Sequence, residues 1–312
     1  MRNQAERLDG TLSFATRWRL YFRERFPLPL HAPVIAVFSG SSFTYSWAVQ
    51  GRRGLPVALA LAVAFAVVLL FFLQLRILDE FKDFADDLRF RPYRPVPRGV
   101  VTLRSLGRLG LVAAAIQAVA SALLGAHVLA ALVVVWAYSG LMAVEFFAPA
   151  RLKARPLAYL ASHMVVVPLI VGYVATCAGA RAMAVPLLWL GAMSYMSFCV
   201  FEIGRKIRAP ADEQQGVETY STLWGRRRAT MSWLAVMAAA AVFAALAAHR
   251  IDALALTAGL AALVIGVAAG VGAWFLADPR PGRGKVFLAV SGLWLVVVYL
   301  ALGVGAWLRI RN

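Results

Sequence analysis

Asp79, Asp83 and Asp87 stand four residues apart in the stretch Asp79-Glu80-Phe81-Lys82-Asp83-Phe84-Ala85-Asp86-Asp87. On a continuous helix they share one face, spaced about 6 Å from turn to turn. Like charges at that spacing repel, so a bare helix gains nothing from them. A divalent cation reverses the sign of that interaction. Hard carboxylate oxygens suit Mg2+, which takes one or two carboxylates and completes its shell with phosphate oxygens. The ordinary alternative is a solvated acidic helix end balanced by nearby arginines.

The next residues supply positive charge. Arg89, Arg91, Arg94 and Arg98 alternate with Pro92, Pro95 and Pro97 before Gly99. The prolines end the helix and stiffen the loop, and guanidinium groups bind phosphate oxygens bidentately. An acidic row beside such a loop suits a magnesium-bound diphosphate. A second mixed segment runs from Glu202 through Arg205, Lys206, Arg208, Asp212, Glu213 and Gly216 to Glu218. Glu202 lies at the edge of an apolar run, where an unpaired carboxylate is expensive; its partner is Arg205, Lys206 or a metal. Arg151, Lys153 and Arg155 form a third, shorter basic stretch, with Glu145 just before it. His163 sits alone on an apolar helix and reads as a packing residue.

The elements that must hold these residues are membrane helices. The 312 residues are 62% hydrophobic, with a mean hydropathy of +0.73, more apolar surface than a soluble domain can hide. Apolar runs fall at about 31–49, 55–78, 105–125, 127–147, 157–178, 184–201, 230–248, 253–277 and 286–308, each near the length that crosses a bilayer. The expected fold is all-α: one domain over 1–312, a bundle of nine transmembrane helices. The segment 1–28 is polar, Arg-rich and without the apolar core of a cleavable signal.

The net charge of +17 is distributed as in a membrane protein rather than a nucleic-acid binder. Of the 32 Lys and Arg, all but Arg52, Arg53, Arg181, Arg250, Arg309 and Arg311 lie on the N-terminal side of the nine spans. That asymmetry puts the N-terminus and the loops 76–104 and 202–228 in the cytoplasm, as expected in a bacterial inner (plasma) membrane. Both loops are longer than a helix connection requires. Cys177 and Cys199 lie in separate apolar runs and read as packing residues.

These residues resemble the UbiA superfamily of intramembrane prenyltransferases. Its first motif, Asn-Asp-x-x-Asp-x-x-x-Asp followed by an Arg-Pro-Leu-Pro-x-Gly-like segment, is similar to Asp79, Glu80, Asp83 and Asp87 with Arg94-Pro95-Val96-Pro97-Arg98-Gly99, the linker being about two residues short. Its second, Asp-x-x-Asp-x-x-x-Asp-x-x-x-Gly, is matched less well. Glu202 stands for the first Asp, Arg205 replaces the second, and Asp212-x-x-x-Gly216 follows an apparent three-residue insertion. Lys153 looks like the family's lysine in the loop after the fourth span.

The resemblance implies nine helices, an N-terminus inside, and a metal set drawn from Asp79, Glu80, Asp83, Asp87, Glu202 and Asp212. Of these, Asp79, Asp83, Asp87 and Glu202 act in catalysis. It implies that Mg2+ holds a prenyl diphosphate while Arg91, Arg94, Lys153, Arg205 and Lys206 neutralise the leaving group. The prenyl group then passes to a small lipophilic or aromatic acceptor. Trp136, Tyr138, Tyr195 and Phe198 are candidates to stabilise the carbocation. A terpene cyclase on the same scaffold is the alternative, and a non-enzymatic transporter or lipid-binding protein the third reading.

Overall fold

The structure is a computed structural model that describes residues 12–52, 54 and 57–311. Residues 1–11 of the N-terminal segment, Arg53, and positions 55 and 56 at the expected start of the second span lie outside the described residues. The described residues contain helices and no strand.

Local sequence sets the breaks. Ser13 caps α1 (Phe14–Arg25) by accepting from the Thr16 N–H at 3.3 Å. Phe26 and Pro27 interrupt it before α2 (Leu28–Val49), and the two helices meet at 55°. α3 (Ala58–Lys82) stops at Asp83, and α4 (Phe84–Phe90) follows at once. Thr102 caps α5 (Leu103–Leu124), accepting from the Ser105 N–H at 3.1 Å. Gly125, at φ +115°, makes the tight turn into α6 (Ala126–Ala143). Then come α7 (Pro149–Lys153), α8 (Pro156–Met164), α9 (Val166–Cys177) and α10 (Val185–Gly204). The chain ends with α11 (Tyr220–Trp224), α12 (Arg226–His249), α13 (Leu254–Ala277) and α14 (Lys285–Arg311).

Among the described residues eight spans are long and apolar enough to cross a membrane, α8 and α9 together forming one of them. Taking the bent pair α1 and α2 as one span makes nine. The protein is a multi-pass integral membrane protein, and the expected helical bundle is the one observed. Leu111, Val119, Leu123 and Leu263 are each more than 60% exposed; hydrocarbon is the solvent that accepts them, since every helix satisfies its own backbone.

The spans close into a ring. α2 packs on α3, α3 on α5, α5 on α6, α6 on α9, α9 on α10, α10 on α12, α12 on α13, α13 on α14, and α14 returns to α2. Gly204 is needed where α10, α12 and α14 converge: a Cβ there would lie 2.2 Å from Ser291 Oγ and 3.0 Å from Trp233 Nε1. Those atoms already form a buried chain in which Trp233 Nε1–H donates to Ser291 Oγ and Ser291 donates to the Phe287 carbonyl. Cys177 and Cys199 are free and buried, in agreement with a packing role.

One run is shorter than expected. α6 ends at Ala143 because Glu145, Phe146 and Phe147 all adopt left-handed backbone, φ +48°, +53° and +57°. Such residues cost about 1–3 kcal/mol each and persist only where the surroundings hold them. Phe146 lies edge-on to Tyr138 at 5.6 Å and to His163 at 5.9 Å.

α1 is fastened to the mouth of the ring by charge. Arg25 pairs with Glu80 of α3, whose side chain is 1% exposed, and Arg98 donates to Glu24 at 2.8 Å. Removing one member of a buried pair strands the other, whereas replacing both with apolar groups is far cheaper. Arg25→Met should therefore destabilise the protein by about 3–5 kcal/mol in detergent unfolding. Adding Glu80→Leu should recover most of that loss. A double variant no more stable than Arg25→Met would contradict the assignment.

Candidate functional site

The acidic row keeps its register across the break after Lys82. The Asp83 N–H donates to the Asp79 carbonyl at 2.9 Å and the Asp87 N–H to the Asp83 carbonyl at 2.8 Å. The side chains nevertheless meet very different surroundings. Asp87 is buried, accepts two bonds from Arg94 Nη1 at 2.7 and 3.0 Å, and lies 2.6 Å from Arg91 Nε, which lacks hydrogen-bond geometry. Glu80 is committed to Arg25. Asp79 is 42% exposed, with Arg76 and Lys82 only at 3.7 and 3.9 Å.

Asp83 makes no close ion pair among the described residues. Burial pushes its carboxyl above the usual range, and the charge of Asp79 adds to the rise. Of the four-spaced Asp79, Asp83 and Asp87, the first two are thus the ones without a close ion pair.

The second motif is brought to face the first. Glu202 is held by Arg205 and by Lys206 at 3.1 Å. Glu202 raises the Arg205 guanidinium further above its usual range against the effect of burial, and Asp79 contributes from across the site. Asp212 lies further along its loop, where its Oδ2 accepts the Gly282 N–H at 2.8 Å. Gly216, at φ +74°, lets that loop rest on α4: a Cβ there would lie 2.3 Å from the Phe90 ring. Lys153 is exposed, 3.7 Å from an exposed Asp86, a pair worth little in water. Glu145 is buried and makes no ion pair with Arg151 or Lys153.

The proposed aromatic groups have polar ends tied elsewhere. Trp136 donates to Gln117, Tyr138 to the Ser162 carbonyl and Tyr195 to the Ala161 carbonyl. Phe198 stacks on Phe72 and meets Phe38 edge-on.

Three groups at the site were not singled out by the sequence. Arg25 looked like one more basic residue of the N-terminal segment. Lys82, inside the acidic row, donates to the Tyr159 hydroxyl and lies 5.1 Å over the Tyr159 ring. Tyr159 stacks on His163 at 3.9 Å and 12°. The one legible clue was the four-residue spacing of Tyr159 and His163 on one helix.

Among the described residues no three His, Cys, Asp or Glu side chains form a ready-made metal cluster. Magnesium asks for less, since one or two carboxylates suffice when phosphate supplies the rest. Asp79 and Asp83 fit that demand: both are hard oxygen donors, neither is locked to a cation, and their mutual repulsion is what a divalent ion relieves. A carboxyl whose folded pKa is raised contributes stability that is full at low pH and lost as pH rises through that pKa. In magnesium-free buffer Asp83→Asn should match the wild-type unfolding temperature near pH 3 and exceed it increasingly above about pH 4. Added Mg2+ should raise the wild type and leave Asp83→Asn nearly unmoved. Equal responses to Mg2+ would count against this pair.

No protein-family model matches the sequence, and no curated protein matches it. Solved structures do. A UbiA homologue from Aeropyrum pernix K1, in its apo form, aligns with a TM-score of 0.62 at 22% identity over 88% of this chain and 97% of that one. A UbiA homologue from Archaeoglobus fulgidus bound to DMAPP and Mg2+ aligns with a TM-score of 0.56 at 14% identity, over 89% and 99% of the two chains. A digeranylgeranylglyceryl phosphate synthase aligns with a TM-score of 0.55 at 17% identity, over 93% and 98%. This chain has the fold of the UbiA superfamily.

Proposed function

We propose that the chain is a Mg2+-dependent intramembrane prenyltransferase acting on a prenyl diphosphate, with 1–312 as a single catalytic domain. The observation that carries this reading is the pair Asp79 and Asp83, neither in a close ion pair, with Asp79 acting on Arg205 from across the site. That this fold holds DMAPP or GPP with Mg2+ in A. fulgidus homologues supports it. The charge asymmetry along the sequence argues for a cytoplasmic site and N-terminus in a bacterial inner membrane.

Asp79 and Asp83 would hold the metal, which supplies charge neutralisation to a departing diphosphate. Arg205, which feels the charge of Asp79, and Lys206 would turn from Glu202 to phosphate oxygens. Arg91 and Arg94 would add positive charge at the same end while staying on the buried Asp87, and Lys153, exposed at the end of α7, would add another. Positive charge fixed where negative charge develops lowers the barrier to breaking the allylic C–O bond. The apolar walls of the ring exclude water from the resulting cation until a lipophilic or aromatic acceptor meets it. Glu80 and Asp87 act through structure: they hold α1 and the arginine loop in place. Asp212, bonded to Gly282, anchors the second loop.

Purified protein given geranyl diphosphate should release diphosphate only with Mg2+. Asp79→Ala and Asp83→Ala should each lower that release by at least about 100-fold, the scale of losing a main charge-stabilising group. Release that survives chelation of Mg2+ or either substitution would overturn the role of this metal pair, and no release above the protein-free rate would favour a protein that only binds anionic lipids.

A further inference from the structure

Aromatic side chains close the bore of the ring. Phe72 of α3 stacks on Phe198 of α10, with centroids 5.8 Å apart and planes at 20°. α3 and α10 are not neighbours in the ring of spans, so these two side chains meet across it. Phe38 of α2 stands edge-on to both, at 5.9 and 5.7 Å, and lies 5.0 Å from Tyr299 of α14. Tyr299 is fixed in turn, since its hydroxyl bonds to Ser194 Oγ at 2.6 Å. Aromatic pairs in these arrangements hold one another beyond simple burial. Phe38 and Tyr299 are buried, whereas Phe72 and Phe198 are only partly so.

The stacked pair is aligned with the charged site. Phe72 lies seven residues before Asp79 on α3, and Phe198 four before Glu202 on α10. Those spacings put each ring on the helix face that carries the carboxylate. At the helical rise, Phe72 is about 10 Å deeper in the bundle than Asp79, and Phe198 about 6 Å deeper than Glu202. Leu75 and Leu78 of α3 fall between and, with Met142, wall a small cavity beside Asp79. The wall behind Phe38 and Tyr299 is tight as well: a Cβ on Gly303 would lie 2.5 Å from Ser41 Oγ.

We propose that Phe72 and Phe198 are the floor of the prenyl-binding space and confine the donor to one or two isoprenoid units. The assignment rests on the prenyl-transfer reading and adds the donor's chain length to it. An extended isoprenoid unit runs about 5 Å, so two units reach the floor from the level of Asp79 and a third meets the rings. Seating the third requires the pair to part, and displacing packed side chains is costly. The small cavity beside Asp79 favours the short end of that range.

The test uses the full chain in detergent with Mg2+ and, in parallel, dimethylallyl, geranyl, farnesyl and geranylgeranyl diphosphates. The kcat/KM for diphosphate release is measured for each. The wild type should prefer geranyl or dimethylallyl diphosphate to farnesyl diphosphate by at least about tenfold, the least that one misfitting methylene gives. Geranylgeranyl diphosphate should be no better than farnesyl. Phe72→Ala and Phe198→Ala should each raise the farnesyl-to-geranyl ratio by about tenfold. A ratio taken within one variant cancels any loss of folded protein. Phe71→Leu, in contact with Tyr173 at 5.6 Å rather than with Phe198, should leave the ratio at its wild-type value.

The donor panel on the wild type needs no variant to fold. Farnesyl diphosphate used as readily as geranyl, a ratio indifferent to both alanine substitutions, or one moved equally by Phe71→Leu would overturn the floor while leaving diphosphate ionisation standing. No release from any donor would overturn the ionisation reading and the floor with it.

Discussion

A carboxylate at the mouth of an apolar bundle must be answered by a positive charge, and most of this site follows from how each one is answered. Glu80 takes Arg25, Asp87 takes Arg91 and Arg94, and Glu202 takes Arg205 and Lys206. These pairs do structural work: they fasten α1 to α3, fold the proline-rich loop back on α4, and close the end of α10. Asp79 and Asp83 are left over at the one place where the two motifs face each other. What makes them costly to the empty fold is what would suit them to the metal-bound substrate proposed above.

The ring supplies the other half of the design. Its core is sealed by hydrogen-bonded small and aromatic residues such as Ser291 with Trp233 and Ser194 with Tyr299. The polar atoms of these pairs are thereby satisfied without water. The charged machinery is confined to one end.

Much of this was legible in the sequence because membrane helices announce themselves by length and composition. The nine runs fell within a few residues of the observed spans except at 127–147, where Glu145, Phe146 and Phe147 turn left-handed against any propensity. The acidic row was legible as well, because its four-residue spacing is local. The pairing within it was not. Glu80 finds Arg25 55 residues earlier in the chain, and nothing in the N-terminal segment marks Arg25 apart from its neighbours. The contact of Gly216 with Phe90 and that of Lys82 with Tyr159 join distant segments, so only the folded chain reveals them. His163 read as a packing residue, and one of its nitrogens does bond to backbone; that the other has no hydrogen-bond partner among the described residues is invisible without coordinates.

The left-handed turn after α6 has a consequence for how this protein responds to selection. Glycine relaxes such backbone at little cost, so a search for thermostable variants would be drawn to positions 145–147. Glycine at 146 would also delete the ring that holds His163 edge-on. Robustness and the packing that fixes His163 pull in opposite directions at that one residue, and a lineage under heat stress would have to find its stability elsewhere in the ring.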